Sequence, residues 1–183
     1  MGGDAGIVTT YVALLRAINL GPTRKVAMAD LVRCFGEAGC DNVKTYIQSG
    51  NVVFDSRSRS SKKLASDLER QVKDATGLDV PVILRTAAEM ASVVERNPFP
   101  GVEPTKLLVG FMAGDPPADA AVPVERATSA KEEFVISGRE IYLHLPDGAG
   151  RSKVPPALER IKTPVTARNW RTVTKLLEMA TSR

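Results

Sequence analysis

Residues 46–54 read YIQSGNVVF and residues 134–142 read FVISGREIY, and this pair of stretches decides the fold. Each has an aromatic residue at both ends and a Ser-Gly pair inside, at Ser49-Gly50 and at Ser137-Gly138. A two-residue loop containing glycine between two apolar runs is typical of a β-hairpin. The stretches align without gaps at an offset of 88 residues, since 137 minus 49 is 88. The sequence therefore predicts the same hairpin twice and, unless the match is chance, a tandem duplication.

The residues around the first hairpin predict the order β-α-β-β-α-β, followed by one more helix. Thr86 and Glu89 have the spacing of a capping box at the start of that helix. The Asn-Pro-Phe-Pro-Gly cluster at 97–101 is the best candidate for a boundary. The predicted strands are Thr9–Leu15, Val43–Gln48, Asn51–Asp55 and Val80–Leu84, and the predicted helices are Met28–Ala38, Lys62–Ala75 and Thr86–Arg96.

The second half predicts a similar series of elements. We expect Asp115–Pro123 to be a loop or a poor helix, because it is rich in proline and alanine. The expected strands are Lys106–Met112, Glu133–Ser137, Arg139–Leu145 and Thr163–Ala167, and the expected helices are Ser152–Ile161 and one that opens at Asn169. The predicted fold is α+β, with two ferredoxin-like βαββαβ plaits in tandem, separate or packed as one unit. The first covers residues 7–97 with its trailing helix, and the second covers residues 104–183 with the C-terminal helix.

The composition limits the classes of function. The 183 residues are 43% hydrophobic and 25% charged, with a net charge of +4, which permits an anionic partner without requiring one. The basic residues are spread among acids, and no RNP1-like aromatic pattern is present, so the sequence argues against a nucleic-acid partner. No signal peptide or membrane-length apolar run is visible, which favours a cytoplasmic location and no membrane association.

Metal and nucleophile chemistry find little support in the sequence. Cys34 and Cys40 form no CxxC pair, and His144 is the only histidine, so we expect no metal site and no cofactor. The two cysteines are interpreted as reduced, apolar residues, with a regulatory disulfide as the alternative. A single histidine without a nearby nucleophile leaves catalytic residues unassigned, and whether the protein is an enzyme stays open.

Two pairs of stretches are similar to a known bacterial family. Residues 11–21, YVALLRAINLG, and residues 45–54, TYIQSGNVVF, resemble YVALLRGINVG and TYIQSGNVVF, the usual wording in the family called domain of unknown function 1697. Residues 142–153 and 166–177 are also similar to that family. The resemblance covers nearly the whole chain. It implies paired ferredoxin-like plaits and no established activity.

The chain departs from the family's wording at the first of these stretches. Ala17 stands where the family usually has glycine, and Pro22 follows Gly21 where a second glycine is common. If the backbone needs a positive φ at position 17, alanine is strained there. Any ligand that would approach the backbone at this position is therefore in doubt.

Two polar groups in the first half are candidates for ligand binding. Arg16, Asn19 and Lys25 follow the first strand, where functional loops are common, and an arginine fork suits carboxylate or phosphate. The alternative is that Arg16 pairs with a carboxylate and Asn19 holds a turn. The second group is Gln48, Ser49 and Asn51, which either bind a ligand or satisfy the hairpin turn.

The strongest anion-site candidate is the sequence Gly148-Ala-Gly-Arg-Ser-Lys153 between a strand and a helix. Glycines allow close approach of a ligand, Arg151 and Lys153 supply charge, and Ser152 precedes predicted helical N–H groups. A simple capped turn is the alternative. Arg168 joins this group if the halves fold together.

These candidates favour a binding module for an anionic small molecule bearing phosphate or carboxylate. The alternatives are a structural or regulatory protein-interaction module and an enzyme of unfamiliar type acting on a phosphorylated metabolite. A single-stranded nucleic-acid binder has the least support, and the sequence does not predict the oligomeric state.

Overall fold

The computed structural model describes residues 6–183, which contain eight strands and six α-helices. The strands are β1 Thr9–Leu15, β2 Asp41–Tyr46, β3 Asn51–Ser56, β4 Val82–Thr86, β5 Leu107–Met112, β6 Glu133–Ser137, β7 Glu140–His144 and β8 Val165–Asn169. The helices are α1 Met28–Glu37, α2 Ser61–Thr76, α3 Ala87–Glu95, α4 Ala121–Ala127, α5 Val154–Ala157 and α6 Trp170–Thr181. Short 3-10 helices lie at Pro104–Lys106, Ala149–Arg151 and Leu158–Arg160.

The strands form two four-stranded antiparallel sheets, in the orders β2-β3-β1-β4 and β6-β7-β5-β8. The predicted α+β class is therefore confirmed. The chain divides into two compact units. One holds the residues up to Glu89 together with Glu178–Arg183, and the other is Met90–Leu177. Among residues 6–183, no helix has both the length and the apolar character needed to cross a bilayer.

The core of the first unit lies between one face of its sheet and helices α1 and α2. Alternate residues of β1 point to this core because side chains alternate across a strand. The helices contribute residues at spacings of three and four, which form one apolar face. The buried residues from these three elements are Tyr11, Ala13, Leu15, Leu31, Cys34, Phe35, Leu64, Leu68 and Val72.

Helices α4 and α5 of the second unit are shorter than α1 and α2 of the first. Helix α4 has 7 residues and α5 has 4, whereas α1 has 10 and α2 has 16. The helix predicted over Ser152–Ile161 is therefore wrong in extent. Pro155 and Pro156 occupy the first turn of α5 and supply no N–H donors, and the chain tightens to a 3-10 turn at Leu158–Arg160.

The end of the region predicted as a loop or a poor helix forms part of α4. Helix α4 begins at Ala121, inside the predicted Asp115–Pro123 segment, and continues to Ala127. Pro123 lies in the first turn of this helix, where a missing N–H donor costs little. The proline that suggested a loop is thus compatible with a short helix.

The two hairpins differ in loop length, which corrects the gapless alignment. The first loop has four residues, 47–50, instead of the predicted two, and the second has two, 138–139. Tyr46 pairs with Asn51, and Ser137 pairs with Glu140. Matching these pairs gives offsets of 91 before the turn (137 minus 46) and 89 after it (140 minus 51). The Ser-Gly pairs therefore do not occupy equivalent positions, although the strands around them do.

Candidate functional site

The loop after β1, residues 16–27, is held in an unusual backbone conformation. Three of its non-glycine residues have left-handed backbone, namely Ala17 at φ 57°, Asn19 at φ 55° and Arg24 at φ 58°. The positive φ considered for position 17 is therefore present. The left-handed conformation costs alanine roughly 1–2 kcal/mol relative to the right-handed conformation. Asparagine tolerates this conformation better, because its short polar side chain forms local hydrogen bonds.

Asn19 connects this loop to the first hairpin. Its side-chain amide donates to the carbonyl oxygens of Val26, at 3.0 Å, and of Gln48, at 2.8 Å. Its Oδ1 accepts from the Val26 N–H at 2.9 Å, so both ends of the amide are used. Arg24 makes a similar link, donating to the carbonyl oxygens of Ala17 and Asp79 at 2.9 and 3.0 Å. These contacts support the turn-holding interpretation of Asn19.

The turn at residues 47–50 packs tightly against the same loop. Gly50 has φ 83°, and a Cβ atom added there would lie 2.8 Å from Leu15 Cβ and 2.9 Å from Ile18 Cδ1. Glycine is thus needed for both backbone conformation and space. Ile47 has φ 49° and is 52% exposed, an uncommon conformation for a β-branched residue. Its left-handed backbone takes the chain out of β2 earlier than predicted.

The other predicted site residues of the first unit surround this turn. Asn51 is fully buried, and its amide donates to the Tyr46 carbonyl oxygen at 3.1 Å and to Ser49 Oγ at 2.9 Å. Gln48 and Lys25 are exposed. Arg16 is half-buried, and its backbone N–H donates to the Pro81 carbonyl oxygen. The structure therefore gathers several predicted residues at one end of the sheet, and the Asn19 and Asn51 amides stabilise the loop and turn.

A cavity of about 360 Å³ lies in the second unit, between the end of α4 and helix α5. The cavity is lined by Arg126, Ala127, Ser152, Lys153, Pro156, Ala157 and Arg160. Two of the predicted site residues, Ser152 and Lys153, thus meet two arginines from other positions in the chain.

The charge lining this cavity is positive. Arg126, Lys153 and Arg160 are exposed side chains, and no carboxylate lines the cavity. Within residues 6–183, none of these three side chains forms an ion pair. Glu125 and Glu159, the acidic neighbours of the two arginines in sequence, are not lining residues. The cavity therefore presents three positive charges that are not neutralised by direct pairing.

Ser152 connects the cavity to a carboxylate just outside it. Its Oγ accepts from the Val154 N–H at 3.1 Å, and its hydroxyl is hydrogen-bonded to Glu132. Burial raises the pKa of Glu132, but hydrogen bonds from Ser129 and Ser152 outweigh this and hold the pKa below its usual range. Glu132 is therefore a carboxylate anion at neutral pH.

The two remaining predicted residues of the second unit do not line the cavity. Arg151 is exposed at the end of a 3-10 turn. Arg168 is only 8% exposed, and its Nη1 donates to Thr166 Oγ1 at 2.7 Å and to the Ala167 carbonyl oxygen at 3.0 Å. Burial lowers its pKa to about 10. Arg168 thus contributes to the interior of its unit.

The two arginines that line the cavity were not predicted from the sequence. Arg160 was detectable, because Lys153, Pro156 and Arg160 have the three-to-four-residue spacing of one helical face. Arg126 was not, because only the contact between α4 and α5 brings it to the cavity. No local pattern in the sequence reports that contact.

The buried arginines reveal a further correspondence between the units. Arg85 is 1% exposed in β4 and pairs with Val12 of β1, while Arg168 of β8 pairs with Val109 of β5. Each arginine thus has the same place in its sheet. The residue after each caps the following helix: Thr86 Oγ1 accepts from the Glu89 N–H, and Asn169 Oδ1 accepts from the Thr172 N–H. The capping box predicted at Thr86 is confirmed, since Glu89 also accepts from the Thr86 N–H.

Comparison with known proteins gives a family and a structural neighbour. The sequence model of the family described as protein of unknown function (DUF1697) matches residues 8–142. Among solved structures, the conserved bacterial protein SP0830 from Streptococcus pneumoniae is similar, with a TM-score of 0.77. The two chains are 25% identical, and the similarity covers 95% of this chain and 99% of that one. No curated protein matches. Because the family match spans well over half of the sequence, the chain belongs to the DUF1697 family.

Proposed function

We propose that the protein binds a small anionic molecule, bearing phosphate or carboxylate, in the cavity between α4 and α5. The observation that carries this proposal is the set of three basic side chains, Arg126, Lys153 and Arg160, around one concave space without an acidic lining residue. Ligand sites are typically concave, with apolar walls and a few convergent polar groups. The apolar walls here are Ala127, Pro156 and Ala157.

The positive charges favour an anion for an electrostatic reason. Like charges placed around one cavity repel each other, and an anion bound between them adds an attraction to each that offsets this repulsion. The side chains are exposed, so water and salt screen the interaction and the affinity should fall as ionic strength rises. A volume of about 360 Å³ is at the small end of ligand pockets, which indicates a small molecule.

A thermal-shift titration of the full chain with inorganic phosphate at low ionic strength tests this function. Binding to the folded state raises the melting temperature with ligand concentration. Arg126→Ala and Lys153→Ala should remove most of the increase. Lys131→Ala is the matched control, because Lys131 is an exposed cation of the same unit that does not line the cavity, and it should leave the increase unchanged. If phosphate raises the melting temperature equally in all three variants, the result would contradict binding in this cavity.

We also infer that each unit is a ferredoxin-like plait and that the two arose by tandem duplication. The β-α-β-β-α-β order and the matching strand orders of the two sheets support this proposal. The equivalent buried arginines, Arg85 and Arg168, add a correspondence that the fold alone does not require. The domain limits of 7–97 and 104–183 are part of the same proposal.

The remaining predicted features stay proposals. Arg16, Lys25 and Gln48 are candidates for a second ligand contact, since Arg16 is half-buried and Lys25 and Gln48 are exposed around the loop after β1 and the hairpin turn. A cytoplasmic location is supported by Cys34 and Cys40, which are free thiols in the interior, as is usual in a reducing compartment.

A further inference from the structure

We infer that the ligand of this cavity is a dianionic phosphate monoester with a compact apolar body, in preference to a monocarboxylate. This inference rests on the proposed function and names the chemical class that the same site would select. It is carried by three features of the site: its local charge, the geometry of its donors and the apolar surface beside them.

The local charge matches a dianion. Arg126, Lys153 and Arg160 give three positive charges, and Glu132, hydrogen-bonded to the lining residue Ser152, gives one negative charge. The sum is +2, from three minus one. A monocarboxylate would leave one positive charge unmatched, whereas a phosphate monoester carries a charge of about −2 at neutral pH.

The donors also suit phosphate. Each guanidinium presents a planar fork of N–H donors, and the lysine adds an ammonium that acts as a point charge. A phosphate monoester offers three terminal oxygens, one for each of the three basic side chains. A carboxylate has only two oxygens and satisfies fewer of these donors at once.

The apolar surface indicates what the phosphate is attached to. Ala127, Pro156 and Ala157 line the cavity beside the charges. None of these side chains has a hydrogen-bonding group, so the part of the ligand that contacts them gains most from being apolar. The volume of about 360 Å³ leaves room for a body the size of one ring beside one phosphate group.

Glu132 affects the ligand only through its charge, because it does not line the cavity. Its carboxylate is hydrogen-bonded to the Ser152 hydroxyl, whose oxygen already accepts from the Val154 N–H. Ser152 is therefore committed to local contacts, and the three cations supply the donors for the ligand. Glu132→Gln keeps an acceptor oxygen at this position but removes the charge, and should raise the affinity for a dianion about threefold at low salt.

Isothermal titration of the full chain with phenyl phosphate, phenylacetate and inorganic sulfate tests the inference. We expect phenyl phosphate to bind about tenfold more tightly than phenylacetate, because it has the additional charge and oxygen. Between pH 7.5 and pH 5 its affinity should fall about tenfold, since its second pKa is about 6 and only the dianion binds well. Sulfate stays a dianion over this range and should show little change.

The outcomes separate the two proposals. If phenylacetate binds as tightly as phenyl phosphate and Arg126→Ala weakens both, the choice of phosphate is overturned while the anion-binding function stands. If phenyl phosphate shows the same small pH effect as sulfate, selection of the dianion is also overturned. If none of the three probes binds, or if Arg126→Ala and Lys153→Ala leave every affinity unchanged, the proposed function itself fails.

Discussion

Replacing Gly50 by alanine should destabilise the first unit by about 3 kcal/mol. The residue has φ 83°, and left-handed backbone costs alanine roughly 1–2 kcal/mol. The reduced freedom of the unfolded chain returns about 0.4–1 kcal/mol of that cost. The added Cβ would lie 2.8 Å from Leu15 Cβ and 2.9 Å from Ile18 Cδ1, and overpacking of this kind costs about 1–3 kcal/mol.

Gly39 provides a matched control for the steric part of this cost. It has the same φ of 83°, but a Cβ atom there meets nothing within 4 Å. Gly39→Ala should therefore cost only about 1 kcal/mol, the conformational part. Urea unfolding followed by circular dichroism measures both variants, provided that one transition is seen. Equal losses for the two variants would refute the close packing of the β1 loop against the hairpin turn.

Two further predictions concern the first unit. Ala17→Gly should stabilise the protein by about 0.5–1 kcal/mol, because Ala17 has φ 57°. The control Ala65→Gly, inside α2, should destabilise it by about 1 kcal/mol. Urea unfolding that shows a loss of stability at both positions would contradict the left-handed backbone at position 17. For Asp55, burial raises the pKa, but hydrogen bonds from Asn42 and Thr10 and the charge of Arg183 outweigh it and lower the pKa overall. Its contribution is therefore present above about pH 4, the usual Asp range, and is lost as pH falls through the lowered value. Asp55→Asn should cost about 1–3 kcal/mol at pH 7 and much less near pH 2, and a cost that does not change with pH would argue against the charged network.

Most elements were predictable because their signals are local. The capping box at Thr86 and Glu89 and the helical spacing of α2 each depend on residues within a few positions of one another. The length of the first hairpin loop was not predictable, since the left-handed conformation that lengthens it occurs at Ile47, which is neither glycine nor proline. Gapless similarity between the hairpins therefore concealed their different loop lengths.

The candidate site was predictable only in part, for a related reason. The glycines and basic residues at positions 148–153 predicted an anion site that includes Ser152 and Lys153, and both of these residues line the cavity. The side chain of Asn19 is instead part of the framework of a loop, because polar residues at turns often satisfy backbone groups. Arg126 comes from an element that the sequence did not predict as a regular helix, so its contribution depends on tertiary packing.

Localising a bound anion on the full chain tests the central proposal most directly. Backbone amide chemical shifts, recorded by NMR during a titration with inorganic phosphate, report which residues contact the ion. We expect saturable changes at the cavity-lining residues that have an amide N–H, and none at Lys131; those lining residues are Arg126, Ala127, Ser152, Lys153, Ala157 and Arg160. Absence of saturable changes at Arg126, Lys153 and Arg160, or changes centred on the loop at residues 16–27, would contradict the assignment of the anion site to this cavity.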